Sequence, residues 1–224
     1  MIDRLKQYLI KGEGDMLDYK QEITSAHKIA KTMVSFANHK GGILLVGVRD
    51  NRTIAGIRTE DEKYMLDLAA SFYCKPEITL EITEHQIGDK VVLECNVPEG
   101  DKKPYYAKGE DEKWWVYIRN KDKSLLASKI VVDVLKRQAS NLGTMISYGK
   151  NEEALMKYLE ENERINLQEF RKMVNISKWR AAKILVNLIS AGVIRNHTHE
   201  KTEFYTLAEA DKKMGSKKMN HFFR

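Results

Sequence analysis

Apolar and polar residues recur along this chain with two periods, and the change between them marks the elements. Ile29, Met33 and Phe36-Ala37 fall at i, i+4 and i+7/i+8, which puts one apolar stripe along a helix. Asn38 to Lys40 ends that helix, and Gly41-Gly42 supplies a turn that needs φ > 0. Ile43 to Val48 is apolar without alternation, the mark of a strand covered on both faces. Gly47 lacks a side chain, so the spacing predicts a close backbone approach there. Asp50-Asn51-Arg52 then turns the chain into a second short strand, Thr53 to Ile57.

The flanking segments follow the same logic. Ile2, Leu5 and Leu9 share a helical face before Lys11 to Asp15 breaks it. Met16 to Glu22 alternates, with Leu17 and Tyr19 on one face and Asp18 and Lys20 on the other. Thr24 or Ser25 caps the helix that ends at Asn38. Thr59 with Glu62 forms a capping box for a helix to about Tyr73, stopped by Pro76. Ile78 to Thr83 and Val91 to Val97 alternate as half-buried antiparallel strands. Lys102 to Lys113 is polar and irregular, and Trp114 to Arg119 is a strand. In Trp114-Trp115 and Tyr105-Tyr106 the alternation buries one residue of each pair and exposes the other, beside Lys102, Lys103, Lys108, Lys113 and Arg119. Ser128 caps a helix through Lys136.

After residue 139 the character changes. Residues 140–150 read as a linker, and 208–224 as a basic flexible tail. Between them, Asn151 caps a first helix and Asn166 with Glu169 forms a capping box for a second. Ser177 caps a third, which ends at Gly192, a natural C′ residue. A hairpin follows, Val193 to Arg195 and Glu203 to Leu207. Three helices and a two-stranded hairpin within residues 151–207 are the order of a winged helix.

Charge sharpens this picture. The net charge is +6, with 23 Lys/Arg against 22 Asp/Glu up to residue 149 and 15 against 10 beyond it. Residues 171–201 hold seven Lys/Arg and one acid, Glu200. A solvated face normally mixes signs; a one-signed row points to a polyanion. Arg180, Lys183 and Asn187 lie at i, i+3 and i+7 on one side of the third helix, while Trp179 and the aliphatic residues take the rest. In helix-turn-helix docking, the start of this helix enters the major groove. Lys178, Arg180 and Lys183 are therefore expected in the groove, with Asn187 on the same nucleic-acid-binding side and Arg195 and Lys201 of the wing on phosphates. No apolar run approaches ~18 residues, so no membrane span is expected. The first residues lack a signal-peptide core, and Cys74 and Cys95 sit in apolar surroundings as in a reducing, cytoplasmic protein.

Three segments carry a resemblance: Gly12-Glu13-Gly14-Asp15-Met16-Leu17-Asp18-Tyr19-Lys20, Ser35-Phe36-Ala37-Asn38-His39-Lys40-Gly41-Gly42, and Leu45-Val46-Gly47-Val48-Arg49-Asp50. Together with Lys103 to Tyr106 and Val116 to Arg119, they resemble the Schlafen/AlbA_2 family over about residues 1–139. Asp18 and Tyr19 stand where the family often has Glu and Phe, and Arg49 where Asp is common. The resemblance implies an α+β/α/β fold, a mixed sheet with flanking helices, here followed by a small winged-helix domain. It implies a nucleic-acid-binding protein, most readily a DNA-binding transcriptional regulator, with RNA as the other polyanion. It also implies a homodimer, because paired Schlafen cores hold two such lobes.

Two rival classes follow from the same resemblance. One is a Mg- or Mn-dependent ribonuclease with Glu13, Asp18 and Asp50 as ligands and catalytic carboxylates. The other is a partner-binding module of a defence or toxin–antitoxin system. Lys20, on the outward face with Asp18, is placed either on a phosphate or in a pair with Asp18. Nothing matches Gly-x4-Gly-Lys-Ser/Thr, so nucleotide hydrolysis is not expected.

Overall fold

The computed structural model describes residues 2–58, 61–140 and 148–208. The capping residue Thr59, most of the expected linker and all but the first residue of the basic tail lie outside them. The chain forms two compact units, Met1–Ala127 and Ser128–Arg224.

The first unit runs α1 (Ile2–Lys11), β1 (Leu17–Lys20), α2 (Ala26–Ala37), β2 (Gly42–Val46), α3 (Asp61–Phe72) and β3 (Cys74–Lys75). It continues through β4 (Glu81–Ile87), β5 (Lys90–Val97), β6 (Tyr106–Lys108), β7 (Trp114–Asn120) and β8 (Lys123–Leu126). One sheet has the order β1-β2-β5-β4, with β1 parallel to β2 and the other pairs antiparallel. The second sheet has the order β3-β6-β7-β8 and is antiparallel throughout. The expected mixed sheet with flanking helices is therefore present.

Helix α2 is buried almost all round, including the polar Thr32 and Ser35, because it packs against strands of both sheets and against α3. Met33, Val34 and Phe36 join Leu44, Val46, Leu93, Cys95 and Ala107 in one core. The other face of the first sheet buries Leu17, Tyr19, Leu45 and Val92 with Leu5 of α1. That second layer is why β5 is not half-buried as its alternation suggested. Glu94, on this covered face, is buried with His85 at 2.7 Å, Arg4 at 2.9 Å and Tyr8 at 3.2 Å.

Gly41 (φ +74°) makes the turn into β2, and a Cβ there would come within 2.8 Å of Val97 O and Glu99 N. The approach expected at Gly47 is made by Gly56, at 2.9 Å from a Cβ built on Gly47. The expected strand Thr53 to Ile57 reduces to a single bridge, Val48 to Ile54. Positive φ at Arg52 and Gly56 bends the chain back before a ladder can form.

The second unit contains α4 (Lys129–Ala139), α5 (Lys150–Glu161), α6 (Leu167–Met173), α7 (Lys178–Ser190), β9 (Ile194–Thr198) and β10 (Glu203–Leu207). Helix α4 belongs here and not to a first domain reaching residue 139, because Ile130 and Val134 complete the core of Leu155, Leu159, Phe170, Leu185, Leu188 and Tyr205. Helix α5 begins after Gly149, whose N–H donates to Glu152, so the cap is not Asn151. Asn166 and Ser177 cap α6 and α7 as expected. Asn175, at φ +49°, takes the left-handed conformation in the turn between them. Gly192 ends α7: its N–H donates to Ile189 O and that of Val193 to Leu188 O, a Schellman motif. Ile165 pairs with Tyr205, adding a one-residue third strand to the β9–β10 hairpin.

Candidate nucleic-acid interface

In the first unit the three carboxylates have different surroundings. Asp18 is buried, 3% exposed, on the α2 face of β1. Its Oδ1 accepts from Arg119 at 2.7 Å, and its Oδ2 accepts from Lys20. Arg119 also donates to Gly14 O at 3.0 Å and Leu17 O at 3.3 Å, and lies over the Phe36 ring at 4.7 Å. It is an internal tie between β7 and the start of β1, not the surface cation its sequence position suggested. Lys20 is spent on Asp18 and on Tyr19 O, so its ammonium is paired rather than facing a phosphate.

Glu13 Oε1 accepts from the Tyr19 backbone N–H at 2.9 Å. Burial pushes its carboxyl above the usual range; that hydrogen bond pulls the other way, and the charges of Asp18 and Asp50 add to the rise. Asp50 is exposed at the exit of β2. Asp18 and Asp50 thus both lie within electrostatic reach of Glu13. Yet no three His, Cys, Asp or Glu side chains among the described residues are grouped to hold a metal ion. With both Asp18 oxygens taken by cations, the trio does not fit a divalent ion, which needs free oxygen donors.

Asn38, at the end of α2, brackets Tyr105, just before β6, and Tyr117 of β7. Its amide donates to Tyr105 O and Tyr117 O, both at 2.9 Å, and accepts from Tyr105 N at 2.7 Å. Tyr105 is buried and Tyr106 is half-buried. The tryptophans do not split that way: Trp114 and Trp115 are 39% and 38% exposed. Trp115 Nε1 donates to Asp111 at 3.1 Å, and Lys75 lies 5.9 Å over Trp114.

Charge separates by unit. The first holds 20 Lys/Arg against 21 Asp/Glu, the second 18 against 11. Within the second, Glu152, Glu153, Glu160 and Glu161 lie on α5, while cations outnumber acids on α6 and α7 and the hairpin holds two of each. Lys172, Lys178, Arg180, Lys183, Arg195 and Lys201 are all exposed. Among the described residues, no carboxylate lies at ion-pair distance from Lys172, Lys178, Arg180, Lys183 or Lys201.

Asn187 differs from this set. It is half-buried and its Oδ1 accepts from Arg137 of α4, which packs along α7. The open part of α7 is its N-terminal half, where Ser177 Oγ accepts from Arg180 N at 3.2 Å and fixes the first turn.

Sequence reasoning also missed Trp179. It is 70% exposed on the cationic face, with Lys183 Nζ 5.3 Å from its ring centroid. The i, i+4 spacing from Trp179 to Lys183 carried that information. The hairpin adds a stacked ladder in which His197 and His199 lie 4.9 and 5.8 Å from Phe204, with Arg164 over the same ring at 5.4 Å.

Two solved structures share features of this chain. One is the N-terminal domain of a RecG-related protein from Nitrosomonas europaea: 24% identity, 48% of this chain, 80% of that chain and a TM-score of 0.40. The other is the DIP2311 protein from Corynebacterium diphtheriae: 14% identity, 71% of this chain, 33% of that chain and a TM-score of 0.46. No curated protein matches the sequence. No helix among the described residues is long and apolar enough to cross a membrane. The family model described as Schlafen, AlbA_2 matches residues 13–128, from the Glu13 loop through β8 to the cap of α4, and the chain belongs to that family.

Proposed function

We propose that this is a nucleic-acid-binding protein, a DNA-binding transcriptional regulator whose second unit works as a winged helix. In this reading α7 enters the major groove by its N-terminal half, and the β9–β10 hairpin lies along the backbone as the wing. One observation carries it: the exposed cations Lys172, Lys178, Arg180, Lys183, Arg195 and Lys201 on α6, α7 and the hairpin, with no acid on α7 among them. Membership of a Schlafen AlbA_2 family supports the same class of partner. The protein acts as a homodimer, so that two α7 helices face two half-sites.

Each phosphate neutralised contributes about −0.9 to the slope of log affinity against log salt, so engagement of the whole row gives roughly −5. Binding of a labelled duplex, followed by fluorescence anisotropy across a salt series, measures that slope. Arg180→Ala with Lys183→Ala is expected to weaken binding strongly and make the slope shallower by about 2. A double variant that binds with the parent's affinity and slope refutes the assignment. Light scattering of the purified protein, free and with DNA, tests the dimer.

A further inference from the structure

We infer that Trp179 is a base-stacking residue, so that α7 binds a duplex carrying an unpaired base more tightly than a continuous one. The inference rests on the nucleic-acid reading of this face and narrows the class of target. A tryptophan in the first turn of a helix normally turns inward, because its ring is the largest apolar surface a side chain offers. Here the inward positions of α7 are filled by Ala181, Ile184, Leu185 and Leu188, and Trp179 is left 70% exposed.

Its surroundings choose the partner. Lys178 and Arg180 flank it in the chain, and Lys183 stands over its ring at 5.3 Å. Ser177 and the Schellman turn at Gly192 hold the two ends of the helix, so the ring sits on a fixed element. An aromatic face among unpaired cations matches the two chemistries of a nucleotide, a π-surface and an anionic backbone.

Trp114 and Trp115 form the internal contrast. They are half as exposed, and the indole N–H of Trp115 is already bound to Asp111, a carboxylate that repels phosphate. Trp179 has no such neighbour among the described residues. A continuous duplex keeps its bases stacked on each other and offers this ring only an edge. A bulged base is already unstacked and presents a free face.

The test uses the full-length protein and two labelled DNAs, a continuous duplex and the same duplex with a two-nucleotide bulge. Affinities are read by anisotropy across a salt series, and the two DNAs are compared at equal salt. The parent is expected to bind the bulged DNA roughly 5- to 100-fold tighter. Trp179→Ala should reduce that preference to near unity with little change in salt slope, since no charge is removed. Trp179→Phe should retain most of it. Because the side chain is exposed, both variants should melt with the parent.

Equal affinity of the parent for both DNAs overturns the inference but leaves the nucleic-acid reading standing. No binding to either DNA at low salt overturns both. A Trp179→Ala protein that keeps the bulge preference overturns the inference, and one that keeps it while changing in the mass measured by light scattering assigns the ring to a protein contact instead.

Discussion

Arg119→Met removes a buried guanidinium, 1% exposed at its side chain, and keeps most of its aliphatic volume. Four acceptors lose a donor: Gly14 O, Leu17 O, Asp18 Oδ1 and, at 3.4 Å, Ser124 Oγ, which keeps Ser35. They are not equally affected. Leu17 O keeps Gly14 N at 2.9 Å, and Asp18 keeps Lys20, while Gly14 O retains only Leu17 N at 3.5 Å. Removing one partner of a buried ion pair costs about 3–5 kcal/mol. The partly exposed Lys20 offsets some of this, so the lower end, about 3 kcal/mol, is expected.

For a unit of this size that corresponds to a fall in melting temperature of about 10 °C. Trp114 and Trp115 lie on β7, the strand that carries Arg119, so their fluorescence in a Trp179→Phe background reports unfolding of the first unit alone. Asp18→Asn closes a double-mutant cycle: the two changes should be strongly non-additive because they share one contact. A loss below about 1 kcal/mol, or simple additivity, would refute the claim that this pair ties β7 to β1.

Three further outcomes follow from the same unit. Asn38→Ala should cost about 2–4 kcal/mol by urea unfolding, since it strands the Tyr105 N–H together with the Tyr105 and Tyr117 carbonyls; wild-type stability would contradict the bracket it forms. Glu13 has its pKa raised by burial, so it contributes stability below its unfolded pKa that is lost as pH rises through the folded value. Glu13→Gln, which can still accept from Tyr19 N, should therefore be more stable than the parent at neutral pH, with the gap closing on acidification. A gap that is constant between pH 4 and 8 would remove burial as the cause. Burial pushes the Cys95 thiol up to about 12 and raises that of Cys74 further. Neither should react with a thiol reagent in the native state at pH 8, and both should on unfolding; rapid native labelling would count against their burial.

What could be read from the sequence divides by range of interaction. The β2 strand, the Gly41 turn, the caps at Ser128, Asn166 and Ser177 and the Schellman glycine at Gly192 each depend on residues within one turn of each other, so local pattern contained them. Arg119 and Asp18 lie 101 positions apart. Nothing in either neighbourhood marks them as partners, and alternation assigned Asp18 to solvent because it cannot tell an outer face from one covered by a second sheet. Glu94 failed for the same reason, since α1 covers the side of β5 that alternation left open. Helix α4 was placed in the wrong unit because its inner face is apolar whichever core it joins, and only the packing of Ile130 and Val134 decides between them.

Trp179 is a different kind of miss. Its spacing to Lys183 put it on the cationic face, and its apolar character argued it into the core. Where periodicity and hydrophobicity disagree over one large side chain, periodicity reports where the backbone can point it, and hydrophobicity only how costly that exposure is. A costly exposure held on a rigid, one-signed helix face is a reason to look for what covers it, and the flanking cations are the physical reason to expect that cover to be a nucleotide.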